Sequence, residues 1–322
     1  MPRLNRTVAF ALGGVAGYLA DAAFADPRRG HPVAVFGTAA GRLERRLWRD
    51  RRSVGAAYTA ACVGAVAAGA VLAERALGRS GAGQAALAAA ATWTVLGGTS
   101  LTREARTIGR SLQAHDLTAA RERLPHLCGR DPSTLDERQI ARAVVESVAE
   151  NTADAVVNAL AWGALAGTPG LLAFRAVNTL DAMVGHRSPR HLRFGWASAR
   201  LDDVAGWPGA RLTALLAVAA APEPATAWRI WRRDGSAHPS PNAGQAESAF
   251  AGALGVRLGG TLNYGARVEH RPVLGAELRP VAVDDIERAC VLSRRVGGLA
   301  LAVTLGGRML WAWRRSAGRG RV

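Results

Sequence analysis

Glu146, Glu150 and Asp154 stand at i, i+4 and i+8 in "ESVAENTADAVVNALAWGALAG". On a helix that spacing makes one slightly drifting acidic stripe, with Asn151 beside it. Like charges so placed repel by a few tenths of a kcal/mol per pair, roughly. A hard cation removes the conflict: Mg²⁺ binds through one or two carboxylates and keeps water positions for substrate phosphate. A solvated acidic face with Arg142 as partner is the plainer reading, and spacing alone does not separate the two. The acids stop where apolar residues take over on every helical face.

Four further stretches carry residue types suited to anionic substrates. "NTLDAMVGHR" puts Asn178 and Asp181 one turn apart, then His186 and Arg187 after a glycine. "FGWASARLDD" sets Arg200 near Asp202 and Asp203. Adjacent acids suit a metal, and the planar guanidinium fork suits phosphate; a structural ion pair is the commoner outcome. "HPSPNAGQAES" holds His238, Ser240, Asn242 and Glu247 in a stretch rich enough in Pro and Gly to be read as a loop. "DPRRGHP" combines Asp26, two arginines and His31 directly after an apolar run. None of these fits a zinc, P-loop, dinucleotide or nucleophile-elbow pattern.

The elements that must position them are helices in an apolar chain. The 322 residues are 49% apolar, unevenly spread. Runs at 8–20, 54–73 and 84–101 carry no charge, and a bilayer-spanning helix needs roughly 20 residues. A fourth run, 155–174, is interrupted at 167–170 by "GTPG"; shorter runs lie at 212–221 and 296–313. Polar, Arg-bearing segments flank the broken run on both sides. A helix–turn–helix that dips into the membrane and returns would keep both flanks on one face, provided protein or water surrounds the turn. Amphipathic helices are expected near 118–124 and 136–154, with Asp131 and Ser133 as candidate caps. Residues 1–322 thus read as a single all-α, multi-pass membrane domain with re-entrant or interfacial helices. An all-helical soluble protein with Ala-rich buried helices is the competing reading.

The formal charge is +16, and every basic residue is Arg. Eight arginines fall within 26–53, two within 74–83 and eight within 102–150. That alternation follows the connectors and is what cytoplasmic long loops would give; it argues against a nucleic-acid partner. The absence of Lys excludes a P-loop lysine and a Schiff-base lysine. Arg3, Arg6 and "AFA" before Asp26 mimic a signal peptide, but the later runs speak for an uncleaved first span. Cys62, Cys128 and Cys290 are too scattered for a disulfide framework or zinc. Several tryptophans, among them Trp48, Trp207, Trp228, Trp311 and Trp313, fall near run ends, as in an interfacial belt.

Taken in order, "DPRRGHPV", "ESVAENTADAVV", "RAVNTLDAMVGHR", "FGWASARLDD" and "HPSPNAGQAESAFAGALGVRLGG" resemble the CbiB/CobD family of cobalamin biosynthesis, over roughly residues 17–264. The resemblance implies an integral-membrane adenosylcobinamide-phosphate synthase: a ligase that joins adenosylcobyric acid to (R)-1-amino-2-propanol phosphate, or ethanolamine phosphate, using ATP and Mg²⁺. It implies a corrinoid and an amino-alcohol phosphate as substrate partners, membrane lipid around the spans, and catalytic loops on the cytoplasmic side. Carried onto this chain, it makes Asp181, His238, Asp202 and Arg200 the catalytic candidates, with His238 the base. Asp26, His31, Asn151, Asn178, His186, Arg187, Ser240 and Asn242 become substrate or phosphate contacts, and Glu146, Glu150, Asp154 and Asp203 metal candidates. The chain departs from the family pattern at Gly30, where a Leu or Pro usually precedes the His, and at "TLNYGAR", where a Tyr- and Gly-rich turn is usual. A membrane transporter or a regulator without ligase activity is the alternative.

Overall fold

The computed structural model describes residues 2–27, 30–129, 131–264 and 267–318. Arg28 and Arg29 of "DPRRGHP", Arg130, and Gly265 of the Asn263-to-Gly265 turn lie outside the described residues. The chain is a multi-pass helical membrane protein. Four helical stretches are long and apolar enough to cross a membrane: Arg6–Phe24, Arg52–Leu77, Glu137–Gly185 and Asp285–Ala317. The chain comprises two compact units, each discontinuous in sequence.

The first unit comprises Met1–Gly97, Asn158–Gly206 and Leu301–Val322. It contains α1 (Pro2–Phe24), α2 (Pro32–Leu47), α3 (Arg52–Leu77), α4 (Gly81–Val95), α8 (Asn158–Leu180), the start of α9 (Trp196–Ala220) and the end of α12 (Asp285–Gly318). Small residues let α1 and α4 touch. A Cβ at Gly13 would collide with the Ala85 carbonyl, and one at Gly17 with that of Ala89 and with Thr92. This is the small-xxx-small approach used between helices in lipid. Large apolar side chains remain outward on these helices, including Leu12, Leu19, Phe24, Leu72 and Leu165, as lipid-facing surfaces require. The run at 84–101 does not make one span, because α4 ends at Val95 and Leu96 turns extended before the Gly97–Gly98 pair.

The interrupted run folds as a helix, a glycine reversal and a second helix. Gly167 has φ 69° and ψ −154° inside α8, a conformation natural to glycine. Past it the chain doubles back, so that a Cβ at Gly170 would strike the Trp162 carbonyl and one at Gly163 the Leu171 side chain. The freed backbone groups are satisfied from elsewhere in the unit. Arg308 NH1 donates to the Gly163 and Ala164 carbonyls (3.2 and 2.6 Å), and Glu74 Oε1 accepts from Thr168 N–H (3.2 Å). Irregular backbone among apolar helices requires such internal partners.

The second unit comprises Gly98–Val157 and Trp207–Ala300. It holds α5 (Gly98–Gln113), α6 (Leu117–Arg123), α7 (Glu137–Thr152), the rest of α9, α10 (Pro224–Asp234), α11 (Ala243–Leu254) and the start of α12. Asp136, not Asp131 or Ser133, caps α7, exchanging hydrogen bonds with Gln139 in a capping box; Asp131 instead accepts from Ser133 N–H in a local turn. A small sheet, ordered β2-β1-β3, was not anticipated: β1 (Val256–Tyr264), β2 (Arg267–Leu274) and a two-residue β3 (Arg279–Pro280). β1 and β2 run antiparallel, with Gly259 opposite Val273 and Gly260 opposite Arg271, so Pro272 is the extra residue of a bulge. Bulges are where a strand tolerates a residue without an N–H.

Candidate functional site

In the first unit, "DPRRGHP" forms the link between α1 and α2. His31 caps α2: its Nδ1 accepts from Val33 N–H (3.3 Å), while Nε2 lies 3.3 Å from Asp26 Oδ1. The two residues close one end of a cleft of about 810 Å³. Its walls are α2, through Thr38, Glu44 and Arg45, and the second half of α8 with the segment that follows, through Arg175, Thr179 and Met183. That volume lies in the range of pockets for substantial organic ligands. A buried core of Ala40, Tyr58, Cys62, Leu180, Val184 and Phe194 ties the walls together. Tyr58 donates to the Ala40 carbonyl (3.2 Å) and packs its ring 5.1 Å from that of Phe194.

The neighbouring face of α8 meets α9. Asn178 Nδ2 approaches Asp202 Oδ1 at 3.5 Å, and Asp203 pairs with exposed Arg200 at 3.4 Å. Asp181 opens a single π turn, Asp181–Gly185, and its carboxylate lies over Gly185, where any Cβ would collide with it. Asp154 lies on a second π turn, Ala153–Val157. Such one-residue insertions recur at functional sites, because the bulge re-aims a side chain that regular helix would send elsewhere. Arg187 is exposed.

His186 joins a chain of titratable groups. Its Nε2 lies 3.1 Å from His191 Nδ1, His191 Nε2 is 3.2 Å from Glu44 Oε1, and Arg190 donates to the same Glu44 oxygen at 3.0 and 3.1 Å. Glu44 also faces the cleft. Burial, reinforced by the charge of His191 and opposed by Glu44, holds the His186 pKa below its ordinary value. Glu44, Arg45, Arg175 and His191 were missed from sequence. Arg175 stands within "RAVNTLDAMVGHR", and His191 follows His186 by five residues, but neither spacing is a motif by itself.

In the second unit the acidic stripe does not assemble into a three-carboxylate site. Glu146 is buried under the β1 bulge: its Oε1 accepts from Gly259 N–H at 2.7 Å and lies 3.9 Å from Arg142. Arg142 in turn donates to the Gly259 and Thr261 carbonyls (2.6 and 2.8 Å). Glu150 is exposed and Asp154 half-buried. Among the described residues, no three His, Cys, Asp or Glu side chains converge to hold a metal ion. Asn151 spends its amide N–H groups on the Ser147 carbonyl and hydroxyl (2.9 and 3.2 Å).

"HPSPNAGQAES" is partly helix. α11 starts at Ala243 and every residue of it is buried, so packing overrides the local Gly and Pro content. Gly244 fits because the His238 Cβ and the Gly235 carbonyl occupy the place of a Cβ. Ser240 Oγ accepts from the Asn242 and Ala243 N–H groups (3.3 and 3.1 Å), capping the helix, and Asn242 Oδ1 accepts from Arg211 (2.9 Å). His238 is buried, with Nδ1 3.1 Å from the Ser240 N–H and Nε2 3.3 Å from Arg271 NH1. With Arg271 donating to Nε2, Nδ1 carries the ring proton and can donate to the Ser240 carbonyl at 3.4 Å, an arrangement that anchors the loop.

Comparison with known proteins adds the family. A family model described as CobD/Cbib protein matches residues 14–293. A cobalamin biosynthesis protein CobD of Mycobacterium tuberculosis (strain ATCC 25618 / H37Rv) is 53% identical over 301 residues, covering 92% of this chain and 95% of that protein. Proteins of the same name are 39% identical in Rhodobacter capsulatus (86% and 90% covered) and 43% identical in Geobacter metallireducens (82% and 86% covered). No solved structure matches the chain. With the match running from α1 into α12 and taking in each motif described above, the chain belongs to the CobD/CbiB family of cobalamin biosynthesis proteins.

Proposed function

We propose that the chain is an adenosylcobinamide-phosphate synthase: it joins the propionate carboxylate of adenosylcobyric acid to the amine of (R)-1-amino-2-propanol phosphate, or ethanolamine phosphate, and cleaves ATP. The observation that carries this reading is the cleft of about 810 Å³ walled by two family motifs. It combines Arg45, Arg175 and His31 with Asp26 and Glu44, a mixed lining suited to a large substrate whose reacting group is an anion.

Amide formation from a carboxylate and an ammonium requires activation of the first and deprotonation of the second. The carboxylate oxygen attacks the γ-phosphorus and ADP leaves, giving an acyl phosphate. The neutral amine then attacks the acyl carbon, and inorganic phosphate leaves with the former carboxylate oxygen. Arg45 and Arg175 would hold the carboxylate and stabilise charge on the transferring phosphoryl group, as guanidinium groups do. His186, backed by His191 and Glu44, is the proton acceptor we favour over His238, whose ring nitrogens already face the Ser240 amide and Arg271. Mg²⁺ bound with the nucleotide would neutralise its polyphosphate. Asp202, Asp203 and Asp181 fit that use, since Mg²⁺ needs only one or two protein carboxylates beside substrate oxygens. The reading keeps these groups on the cytoplasmic side, where ATP is available.

Detergent-purified protein given adenosylcobyric acid, the amino-alcohol phosphate and Mg-ATP should form the amide and ADP together. Asp181→Asn should abolish both products without lowering the melting temperature. Folded protein that binds the corrinoid but forms no amide with either amino-alcohol phosphate would sink the synthase reading and favour a transporter or regulator.

A further inference from the structure

A second, smaller cavity in the other unit points to a ligand. It measures about 210 Å³ and lies between the first turns of α7 and the sheet, lined by Asp136, Arg138, Arg142, Arg257, Gly260 and neighbouring backbone. Its charge is one-sided. Arg138 and Arg257 are exposed and, among the described residues, make no hydrogen bond or ion pair. Arg142 is fixed against the Gly259 and Thr261 carbonyls. Asp136, the one acid among the described lining residues, already accepts from Gln139 N–H at 2.8 Å, and Glu146 is buried beneath. The floor is bare backbone. Gly260, at φ 89°, has no side chain to fill the space, and a Cβ there would stand 3.4 Å from Arg142 NH1. Two exposed guanidinium groups over one held by backbone carbonyls form a trap for a compact anion with several acceptor oxygens.

We propose that this cavity binds the phosphate of a small, free phosphomonoester. It falls below the usual size of a pocket for a drug-sized ligand, which excludes a corrin and suits a phosphate carrying a few further atoms. Amino-alcohol phosphates are of this class; that link rests on the synthase reading, whereas phosphate binding itself does not.

The test is calorimetric titration of ethanolamine phosphate and of inorganic phosphate into the full-length protein in nanodiscs, without corrinoid or nucleotide. Saturable binding should strengthen as pH rises through about 6, where a phosphomonoester gains its second charge. Arg138→Gln and Arg257→Gln should each weaken it at least about tenfold, which is about 1.4 kcal/mol. Neither residue has a partner among the described residues, so both variants should melt like the parent, and Arg103→Gln, which removes an exposed charge elsewhere, should bind normally. Absence of saturable binding, or affinity equal to the parent's in both cavity variants, would overturn the proposal. So would loss of binding on adding phosphatidic acid to zwitterionic nanodiscs, which would make a lipid headgroup the occupant. Should the amide fail to form while phosphate binds as described, only the synthase reading falls.

Discussion

Replacement of Glu146 separates a structural clamp from a metal ligand. The carboxylate is 3% exposed and accepts from Gly259 N–H at 2.7 Å, at the point where the β1–β2 ladder slips by one residue. Glu146→Ala removes a hydrogen bond to a charged group, worth about 1.5–3 kcal/mol, and leaves a buried N–H without a partner. Arg142 keeps its two carbonyls, so the combined loss should be about 3 kcal/mol. Spread over 322 residues at an unfolding entropy of about 2.1 cal/mol/K each, that lowers the melting temperature by about 4–5 °C. Glu146→Gln keeps an oxygen for Gly259 and gives up the charge that faces Arg142 at 3.9 Å; its loss should stay near 1 kcal/mol, roughly. Tryptophan-fluorescence melting in detergent reads both variants, and amide exchange at Gly259 locates the effect. The reasoning is refuted if Glu146→Ala melts with the parent while Glu146→Gln abolishes Mg-nucleotide binding, because the carboxylate would then serve a metal.

Other outcomes follow from the same geometry. Gly259→Ala would drive a Cβ into the Pro272 carbonyl at φ 76°; it should destabilise by at least about 2 kcal/mol and lose the hairpin's exchange protection. Arg308→Ala exposes the Gly163 and Ala164 carbonyls at the glycine reversal and should cost about 2–4 kcal/mol, measured as lost folded yield, with Arg308→Lys recovering part of it. For His186, burial and the charge of His191 set the folded pKa below the unfolded value of 6.5. The unfolded chain therefore takes up the proton first. Stability should be full above pH 6.5 and fall as pH drops through the folded pKa, and His191→Gln should flatten that fall in a melting series.

The acid and arginine motifs lie on or beside helices because apolar periodicity and length are local properties, visible in any window. The glycine reversal was likewise announced by "GTPG". What completes it was not visible: Glu74 lies 94 residues before Thr168, and Arg308 lies 144 after Ala164. The hairpin escaped because Gly259–Gly260 and Pro272 are the residues that ordinarily argue against a strand; only the bulge makes them compatible with one. "HPSPNAGQ" reads as a loop for a related reason, yet α11 begins within it at Ala243, with Ser240 capping the helix and Asn242 holding Arg211. The cleft wall formed by Glu44, Arg45 and Arg175 depends on the packing of α2 against α8, and no single window of sequence contains it.

The central claim is that ATP activates the carboxylate for amide formation, and oxygen transfer tests it most directly. Adenosylcobyric acid labelled with ¹⁸O in the reacting carboxylate is turned over with the amino-alcohol phosphate and Mg-ATP, and the phosphate released is analysed by mass spectrometry. The account predicts one ¹⁸O in inorganic phosphate for each amide formed, and none in ADP. Amide formed with unlabelled phosphate, or with the label in AMP, would contradict it.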